Sequence, residues 1–331
     1  MGQEQSVKKE KRLASECGVS WKFLLTFYNS IPSKEKESLT TGEISEKYIK
    51  PKTAKKRCRY VDLLNPKEIK KPNYFVSHVW KSPFSHLLEC LQVQLHFFRI
   101  QQNDLDSLFF WIDIFAVNQH EIDSDLASLE RTIHETEQIL VCMDTEGRLL
   151  TRIWCLYEIW NTILSEKEGK EQEEGKKLVF IAHKTNYTTL EKFFIECDVS
   201  RAQAKKEEDV VRILNEIKKS VGFEKVNREI QRGLVQSANY EMKVAEMMDD
   251  QKILREKREK FARMLQFSGK YQEAEPLLRS CLSISETINE LEHPDTAQSL
   301  NNLAALLSTM GKYSEAEPLS EEPCQKIYLL L

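Results

Sequence analysis

Short apolar runs alternate with longer amphipathic segments between residues 73 and 221. The clearest run, Leu108–Ile114, is almost continuously apolar, which is typical of a parallel strand that is buried on both faces. Parallel strands need a crossover connection, usually a helix, so this alternation predicts an α/β fold with a doubly wound parallel sheet. We predict strands at 74–79, 108–114, 138–143 and 177–182, a candidate fifth strand at 193–197, and helices at 87–100, 126–137, 152–166 and 209–221.

Changes in composition divide the chain into four segments. We predict a flexible, basic N-terminus at 1–19, an extension with a short helix at 20–72, the α/β domain at 73–224 and a highly charged helical segment at 225–331. The apolar residues of the short helix lie within 20–31. The charged run 166–177 is expected to be a solvent loop of the α/β domain.

The composition argues against several classes of protein. The chain of 331 residues has a formal net charge of -4, which gives no reason to expect binding to nucleic acid. Its 8 cysteines include no Cys-x-x-Cys pair and no Cys/His cluster with zinc-ligand spacing, so we expect no metal site and a reducing compartment. No secretory signal is apparent and no stretch approaches the length of a membrane span, so we expect a cytoplasmic location.

The first residues carry a lipidation pattern. Gly2 and Ser6 fit Met-Gly-x-x-x-Ser/Thr, the pattern of N-myristoylation. One acyl chain binds a membrane only marginally, and the basic residues within 8–12 are a suitable second signal. This predicts association with a membrane surface through Gly2, and the alternative is an unmodified, solvated tail. For the basic run 47–59 we expect a solvated linker, with contact to anionic lipid as the alternative.

A motif at the start of the third predicted helix indicates a known family. It reads Trp154-Cys155-x-x-Glu158 and follows the strand predicted at 138–143. With the order of strands and helices over 73–221, it resembles the Toll/interleukin-1 receptor (TIR) domain, which implies a flavodoxin-like sheet. In TIR enzymes this glutamate helps to cleave the bond between nicotinamide and ribose in NAD. The resemblance therefore implies that Glu158 is catalytic and that NAD is the substrate, with no bound cofactor.

Polar residues cluster where the predicted strands end. In open α/β folds these ends meet at one edge of the sheet and bind ligands. The TIR resemblance implies that residues after the first strand line the pocket and that the loop after the second strand mediates self-association. The predicted substrate-binding residues are Ser77, His78, Trp80, Asp113, Asn118, Gln119, His120 and Trp154.

Plainer interpretations compete with these roles. Glu158 lies off the apolar stripe of its helix, which also suits a solvent-facing acid that complements the helix dipole. Trp154 and Cys155 suit packing, and histidines often make structural hydrogen bonds. Asp113 either caps the next segment or contacts a ligand ribose.

Two stretches near the C-terminus repeat each other. Residues 269–277 (GKYQEAEPL) and 311–319 (GKYSEAEPL) are offset by 42 residues, a period typical of stacked helical hairpins. Together with the run 300–304 (LNNLA), they resemble the tetratricopeptide repeats of kinesin light chains, which implies a protein partner. Such arrays usually need about three repeats, so two copies predict a truncated array or a short adaptor rather than a full groove.

These observations lead to two main functional hypotheses. The leading one is a cytosolic TIR-like signalling protein of innate immunity or stress that hydrolyses NAD when it self-associates. The alternative is a non-enzymatic scaffold that assembles protein partners. A pocket filled by Trp80 and Trp154 favours the scaffold, and a nucleotide pocket with Glu158 near the ribose favours the enzyme. A kinesin-light-chain-type cargo adaptor is a third hypothesis. Residues 240–260 argue against it, because they lack the sustained heptads of a coiled coil.

Overall fold

The computed structural model describes residues 12–97, 104–122, 125, 128–165, 177–185, 187–288 and 293–328. Their contacts form two compact units. The first consists of the described residues within 1–144, 148–183 and 199–226, and the second of those within 145–147, 184–198 and 227–331. Gly2, and with it the predicted lipidation site, lies outside the described residues, as does most of the predicted loop at 166–177.

One six-stranded mixed sheet forms the framework of the first unit. Its strands are β1 (Gly18–Ser20), β2 (Ile69–Lys70), β3 (Tyr74–Ser77), β4 (Phe109–Trp111), β5 (Gln138–Cys142) and β6 (Leu178–Ile181). The order is β2-β1-β4-β3-β5-β6. The four strands β3 to β6 pair in parallel, whereas β1 is antiparallel to β2 and β4. The four strands predicted first are therefore confirmed, but the prediction of a purely parallel sheet is wrong.

Nine α-helices lie within the described residues up to 219, and α1 to α7 and α9 belong to the first unit. They are α1 (Trp21–Asn29), α2 (Thr41–Ile44), α3 (Lys50–Thr53), α4 (Phe84–Phe97), α5 (Asp113–Ala116), α6 (Leu129–Glu135), α7 (Ile153–Ser165), α8 (Tyr187–Ile195) and α9 (Glu207–Lys219). A π-helical turn, Ser45–Ile49, joins α2 to α3. Each helix predicted from the sequence has its counterpart within about one turn among the described residues.

Two predicted strand segments are helical instead. The strand predicted at 108–114 stops at Trp111, because Asp113 begins α5 and its Oδ1 accepts the amide of Ile114 at 2.7 Å. The candidate strand at 193–197 is wrong, since its first residues lie in α8. Phe194 packs on Phe267 with 5.9 Å between ring centroids, inside the second unit. A short apolar run fits a strand or a helix, and packing decides between them.

The segment predicted as an extension completes the core of the first unit. β1 pairs with the central part of the sheet through Val19 opposite Phe110. Phe27 of α1 packs edge-on against Phe115, with 5.0 Å between ring centroids, and Tyr60 contacts both rings. Each buried aromatic side chain of this kind contributes roughly 2–3 kcal/mol through burial. The sheet and residues 18–72 therefore form one folding unit.

A buried ion pair links three segments of this unit. The Arg59 side chain is 5% exposed and that of Asp125 is 3% exposed. Arg59 binds both carboxylate oxygens, with Nε donating to Oδ2 at 2.9 Å and Nη2 donating to Oδ1. Arg59 Nη1 also donates to the Arg12 carbonyl at 2.8 Å, and the Asn118 amide donates to Asp125 Oδ2 at 2.8 Å. The pair thus joins the N-terminal segment, the end of the basic run and the loop after β4.

The second unit is helical. After α8 it contains α10 (Phe223–Glu246) from Asn227 onward, α11 (Gln251–Phe267), α12 (Tyr271–Ile288), α13 (Pro294–Thr309) and α14 (Tyr313–Tyr328). Its core is made by Ala262, Leu265, Ala274, Leu278, Leu303, Leu306, Leu307 and Ala316. Helices α8 and α10 pack beside α11. Glu191 of α8 pairs with Arg263 at 3.8 Å, and Glu241 of α10 pairs with Lys257.

The repeated Gly-Lys pair ends a helix in both copies. Gly269 and Gly311 have φ values of 72° and 76°, in the left-handed region that favours glycine. The following lysine amides reach back, from Lys270 to the Leu265 carbonyl at 2.8 Å and from Lys312 to the Leu307 carbonyl at 2.9 Å. This arrangement is a Schellman C-cap. The repeat therefore marks the same turn in two hairpins, α11–α12 and α13–α14, which confirms the predicted helical hairpins.

Removing one partner of the buried ion pair is expected to destabilise the protein strongly. Asp125→Ala leaves the Arg59 charge buried and should cost about 3–5 kcal/mol in the free energy of unfolding, measured by urea titration. Glu135→Ala, which breaks the exposed pair with Arg131, is the matched control and should change stability little. The double variant Arg59→Met/Asp125→Leu should recover most of the loss. Equal effects of Asp125→Ala and Glu135→Ala would contradict this role.

Candidate functional site

Four of the predicted site residues meet at the carboxyl end of the central strands. Ser77 ends β3, His78 follows it, Asp113 lies just after β4, and Glu158 lies in the second turn of α7. His78 Nε2 lies 3.8 Å from Asp113 Oδ1. The Glu158 carboxyl interacts electrostatically with Ser77 and Asp113. Three separate elements therefore bring two acids, an imidazole and a hydroxyl to one place.

Several polar atoms at this place are buried without a partner. Ser77 Oγ, His78 Nε2 and Glu158 Oε2 have no hydrogen-bond partner among the described residues. More than nine-tenths of buried polar groups in folded proteins are hydrogen-bonded, and leaving one unpaired costs about 1–3 kcal/mol. Such atoms at one edge of a sheet indicate a site for ordered water or a ligand.

Burial dominates the ionisation of Glu158. It raises the pKa of the carboxyl from its ordinary value of 4.5 to about 8. The Ser77 hydroxyl opposes this rise in pKa, although it does not have the geometry of a hydrogen bond. The negative charge of Asp113 raises the pKa further, and Arg152 lowers it. A carboxyl of this kind switches between its neutral and charged forms near physiological pH. Raised pKa values are common among acids at functional sites.

His78 is shifted towards its neutral form. Burial lowers the pKa of the imidazole, while the Asp113 carboxylate opposes this effect. A neutral imidazole has one nitrogen that accepts a hydrogen bond and one that donates. His78 can therefore exchange a proton with a bound ligand more readily than a fixed imidazolium could.

Asp113 is the first residue of α5 and contacts two other residues of the candidate site. Its Oδ1 accepts the Ile114 amide, which starts α5, and its Oδ2 accepts from Trp80 Nε1 at 2.6 Å. The Asp113 side chain is 32% exposed. Helix α5 has no side-chain cap at its N-cap residue, and the Asp113 carboxylate binds Trp80 and faces His78. Its predicted contact with a ligand ribose stays a prediction.

The remaining predicted residues have other contacts. Trp154 packs on Tyr157, with 5.6 Å between ring centroids, and lies under the Arg212 guanidinium at 5.8 Å. Gln119 Nε2 donates to the Asp113 carbonyl at 3.0 Å, so the Gln119 side chain contacts the backbone of the candidate site. Among the described residues, its Oε1 has no hydrogen-bond partner.

Asn118 and His120 form hydrogen bonds with the basic run 47–59. Asn118 Nδ2 donates to the Arg57 carbonyl at 2.9 Å. His120 Nε2 lies 2.8 Å from Thr53 Oγ1, and its carbonyl accepts from Arg57. The structure therefore gives these two residues a positioning role in the loop after β4. Their predicted contact with substrate stays a prediction.

A small pocket adjoins the site and was not predicted. It lies between the exits of β3 and β5 and has room for about one water molecule. Thr41, Ser82 and His86 line it, together with His78 and Asp144. The sequence contains one signal for a residue that lines this pocket. It is the capping box Thr40-x-x-Glu43, which places Thr41 at the first position of α2.

Two other chemistries receive no support from the geometry. Burial raises the pKa of the Cys155 thiol far above its ordinary value, which disfavours the thiolate that a cysteine nucleophile requires. Across the described residues, no three or more His, Cys, Asp or Glu side chains are arranged as metal ligands. The chemistry available at this site is that of a carboxyl group with polar neighbours.

Comparison with known proteins identifies the C-terminal repeats. Residues 256–322 match the tetratricopeptide repeat family, which covers most of α11 to α14. No curated protein matches the chain. Repeats of this class stack into surfaces that generally bind proteins. None of the helices in the described ranges combines the length and apolar composition that a membrane span requires.

The raised pKa of Glu158 predicts that the protein loses stability as the pH rises. Between the ordinary pKa of 4.5 and the folded-state pKa of about 8, the folded state holds a proton that the unfolded state releases. The stabilising contribution is complete below pH 4.5 and is lost as the pH rises through about 8. Glu158→Gln cannot ionise and should exceed the wild type in unfolding free energy at pH 9 by roughly 2–4 kcal/mol.

Urea unfolding of both proteins between pH 5 and pH 9 measures this difference. Glu208→Gln, at an exposed position of α9, is the matched control and should follow the wild type. The same pH dependence in wild type and Glu158→Gln would show that the carboxyl is solvated.

Proposed function

We propose that the first unit is a TIR-like domain that hydrolyses the bond between nicotinamide and ribose in NAD, with Glu158 as its catalytic residue. The observation that supports this best is the carboxyl of Glu158, a partly exposed residue whose Oε2 is buried without a partner among the described residues, beside Ser77 and His78 at the carboxyl end of parallel strands. A poorly solvated carboxylate acts far more strongly on a nearby cation than one in water.

The sheet topology supports a TIR-like fold in its central part. The four parallel strands run in the order β4-β3-β5-β6. Strand β3, the first of them along the chain, therefore lies between β4 and β5. This equals the 2-1-3-4 part of a flavodoxin-like sheet, in which ligands bind at the exits of the strands where the chain reverses direction. Two antiparallel strands beside β4 are a departure from that fold.

The charges fit a substrate that carries a cationic ring. The pKa of about 8 keeps the Glu158 carboxyl largely neutral at neutral pH. The positive nicotinamide ring favours its ionised form. The carboxylate then stabilises the oxocarbenium-like ribose while nicotinamide leaves as a neutral molecule. Water adds to the ribose carbon and releases a proton, and we assign the acceptance of this proton to the neutral His78. The products are nicotinamide, ADP-ribose and the proton.

The trigger that we propose is self-association, which the TIR resemblance implies for the loop after β4. In this loop, Asn118 and His120 make contacts with residues 53–57. The repeats would then bring copies together through a protein partner, since a repeat of this family is generally an interaction module. The higher local concentration of these copies, rather than a new contact at Glu158, would raise the rate of NAD hydrolysis.

The alternative function is a scaffold without enzymatic activity. It is favoured by the repeat match at 256–322 and by Trp80, which is fixed against Asp113 at the mouth of the site. Trp154 is engaged by Tyr157 and Arg212 and gives the scaffold no similar support. Catalytic activity separates the two functions, because a scaffold needs the repeats but not the Glu158 carboxyl.

The enzymatic proposal predicts release of nicotinamide from NAD by concentrated full-length protein. Glu158→Gln keeps the shape of the side chain and removes its charge, so release should fall by at least 100-fold. Glu208→Gln is the matched control and should retain wild-type activity. Chromatography of the nicotinamide product, at several protein concentrations with and without a crowding agent, measures the rate.

Each other outcome has a distinct meaning. No release at any concentration, from protein whose urea unfolding is cooperative, would contradict the enzyme and favour the scaffold. Release that survives Glu158→Gln would show that another group cleaves the bond.

A further inference from the structure

The basic run 47–59 is a packed helical segment, so the expectation of a solvated linker is wrong. The π-helical turn continues into α3, and the Arg57 amide donates to the Thr53 carbonyl at 2.8 Å, which extends the helical turn to residue 57. Ser45, Ile49 and Thr53 are 0%, 0% and 1% exposed. Because they are spaced four residues apart, they lie on one side of the helical segment and form its buried face.

The opposite side of this segment is basic. Lys52, Lys55 and Lys56 are exposed and follow the spacing i, i+3 and i+4, which places them on one side of a helical turn. Arg57 is exposed as well and ends the turn, with a φ of 46° in the left-handed region. We call these four residues the basic face.

Acidic side chains do not neutralise the basic face. Between residues 46 and 62 the sequence has seven lysines and arginines but only two acids. Glu46 pairs with Lys50, and Asp62 Oδ2 accepts the backbone amide of Arg59 at 3.1 Å. Both acids are therefore engaged by groups outside the basic face.

The four cations of the basic face keep their charge uncompensated. Among the described residues, Lys55 and Lys56 have no hydrogen-bond or ion-pair partner. Lys52 and Arg57 have neutral partners, a tyrosine hydroxyl at 3.4 Å and a backbone carbonyl at 3.3 Å. One or two cations are enough to complement the negative end of a short helix, so this role leaves a surplus of positive charge.

The chain enters the first unit beside the end of the same run. Arg59 Nη1 donates to the Arg12 carbonyl at 2.8 Å, so residue 12 lies next to residue 59. The sequence that leads to Arg12 contains Lys8, Lys9 and Lys11, and it begins with the acylation pattern at Gly2. The structure therefore brings the second basic run of the chain next to the first.

We propose that the basic face docks the first unit on a membrane surface that carries anionic phospholipid headgroups. Exposed cations on one side of a packed segment are attracted by the negative potential of such a surface. Nucleic acid fits less well, because the chain has a net charge of -4 and no aromatic side chain of the run 47–59, all of which the structure describes, is exposed for base stacking. Docking needs no turnover, so the proposal does not depend on NAD hydrolysis.

Sedimentation of the full-length, unacylated protein with vesicles tests the proposal. One set of vesicles is phosphatidylcholine alone, and the other is an equimolar mixture with phosphatidylserine. We expect binding to the mixed vesicles only, and weaker binding as salt is added. Lys55→Gln/Lys56→Gln should weaken this binding about 30-fold, because each lysine at an anionic surface contributes about fivefold. Lys205→Gln/Lys206→Gln removes two exposed lysines outside the basic face, so it is the matched control and should bind like the wild type.

Both double variants change exposed residues only, so their unfolding in urea should match that of the wild type. Absence of binding to the mixed vesicles, equal binding to both sets of vesicles, or equal weakening by the two double variants would overturn the proposal. Tighter binding to single-stranded RNA than to the mixed vesicles would also overturn it and assign the basic face to nucleic acid. Glu158→Gln should bind the vesicles like the wild type, so failure of docking and failure of NAD hydrolysis are distinguishable.

Discussion

The buried pairing of Arg59 with Asp125 is the interaction on which the first unit depends. Both groups are almost fully removed from water, and each binds further backbone groups, the Arg12 carbonyl and the Asn118 amide. A buried charge is tolerated only when its hydrogen bonds are complete, so the three segments have to assemble together. This explains why a stretch with the composition of an extension is part of the fold. The pair also holds the Asn118 backbone, in the loop after β4, against the same carboxylate.

The exit of β3 carries the proposed active site. Ser77 faces Glu158, and the following residues turn past the neighbouring pocket into α4. Ser77 Oγ, His78 Nε2 and Glu158 Oε2 are buried at this place without a partner among the described residues, which costs free energy. A ligand that satisfied these atoms would recover that cost on binding.

The sequence predicted what depends on local pattern and missed what depends on distant pairing. The apolar run before Asp113 and the repeated Gly-Lys pairs carry their structure in adjacent residues, so the central strand and the hairpins were predictable. Strand β1 is only three residues long and pairs with Phe110 from far along the chain, which no local pattern reveals. Helical periodicity showed that Glu158 leaves the apolar stripe. It could not show that Ser77 and Asp113 would meet the carboxyl there.

Direct titration of the Glu158 carboxyl tests the central claim, that this group is buried at a site rather than solvated on a helix. Glutamate labelled with carbon-13 at the side-chain carboxyl gives one signal for each residue, and the signal that is missing in Glu158→Gln identifies position 158. The account predicts that this carboxyl titrates with a pKa of about 8, well above the other glutamates. A pKa near the ordinary value of 4.5 would contradict the buried site and, with it, the reason for assigning Glu158 a catalytic role.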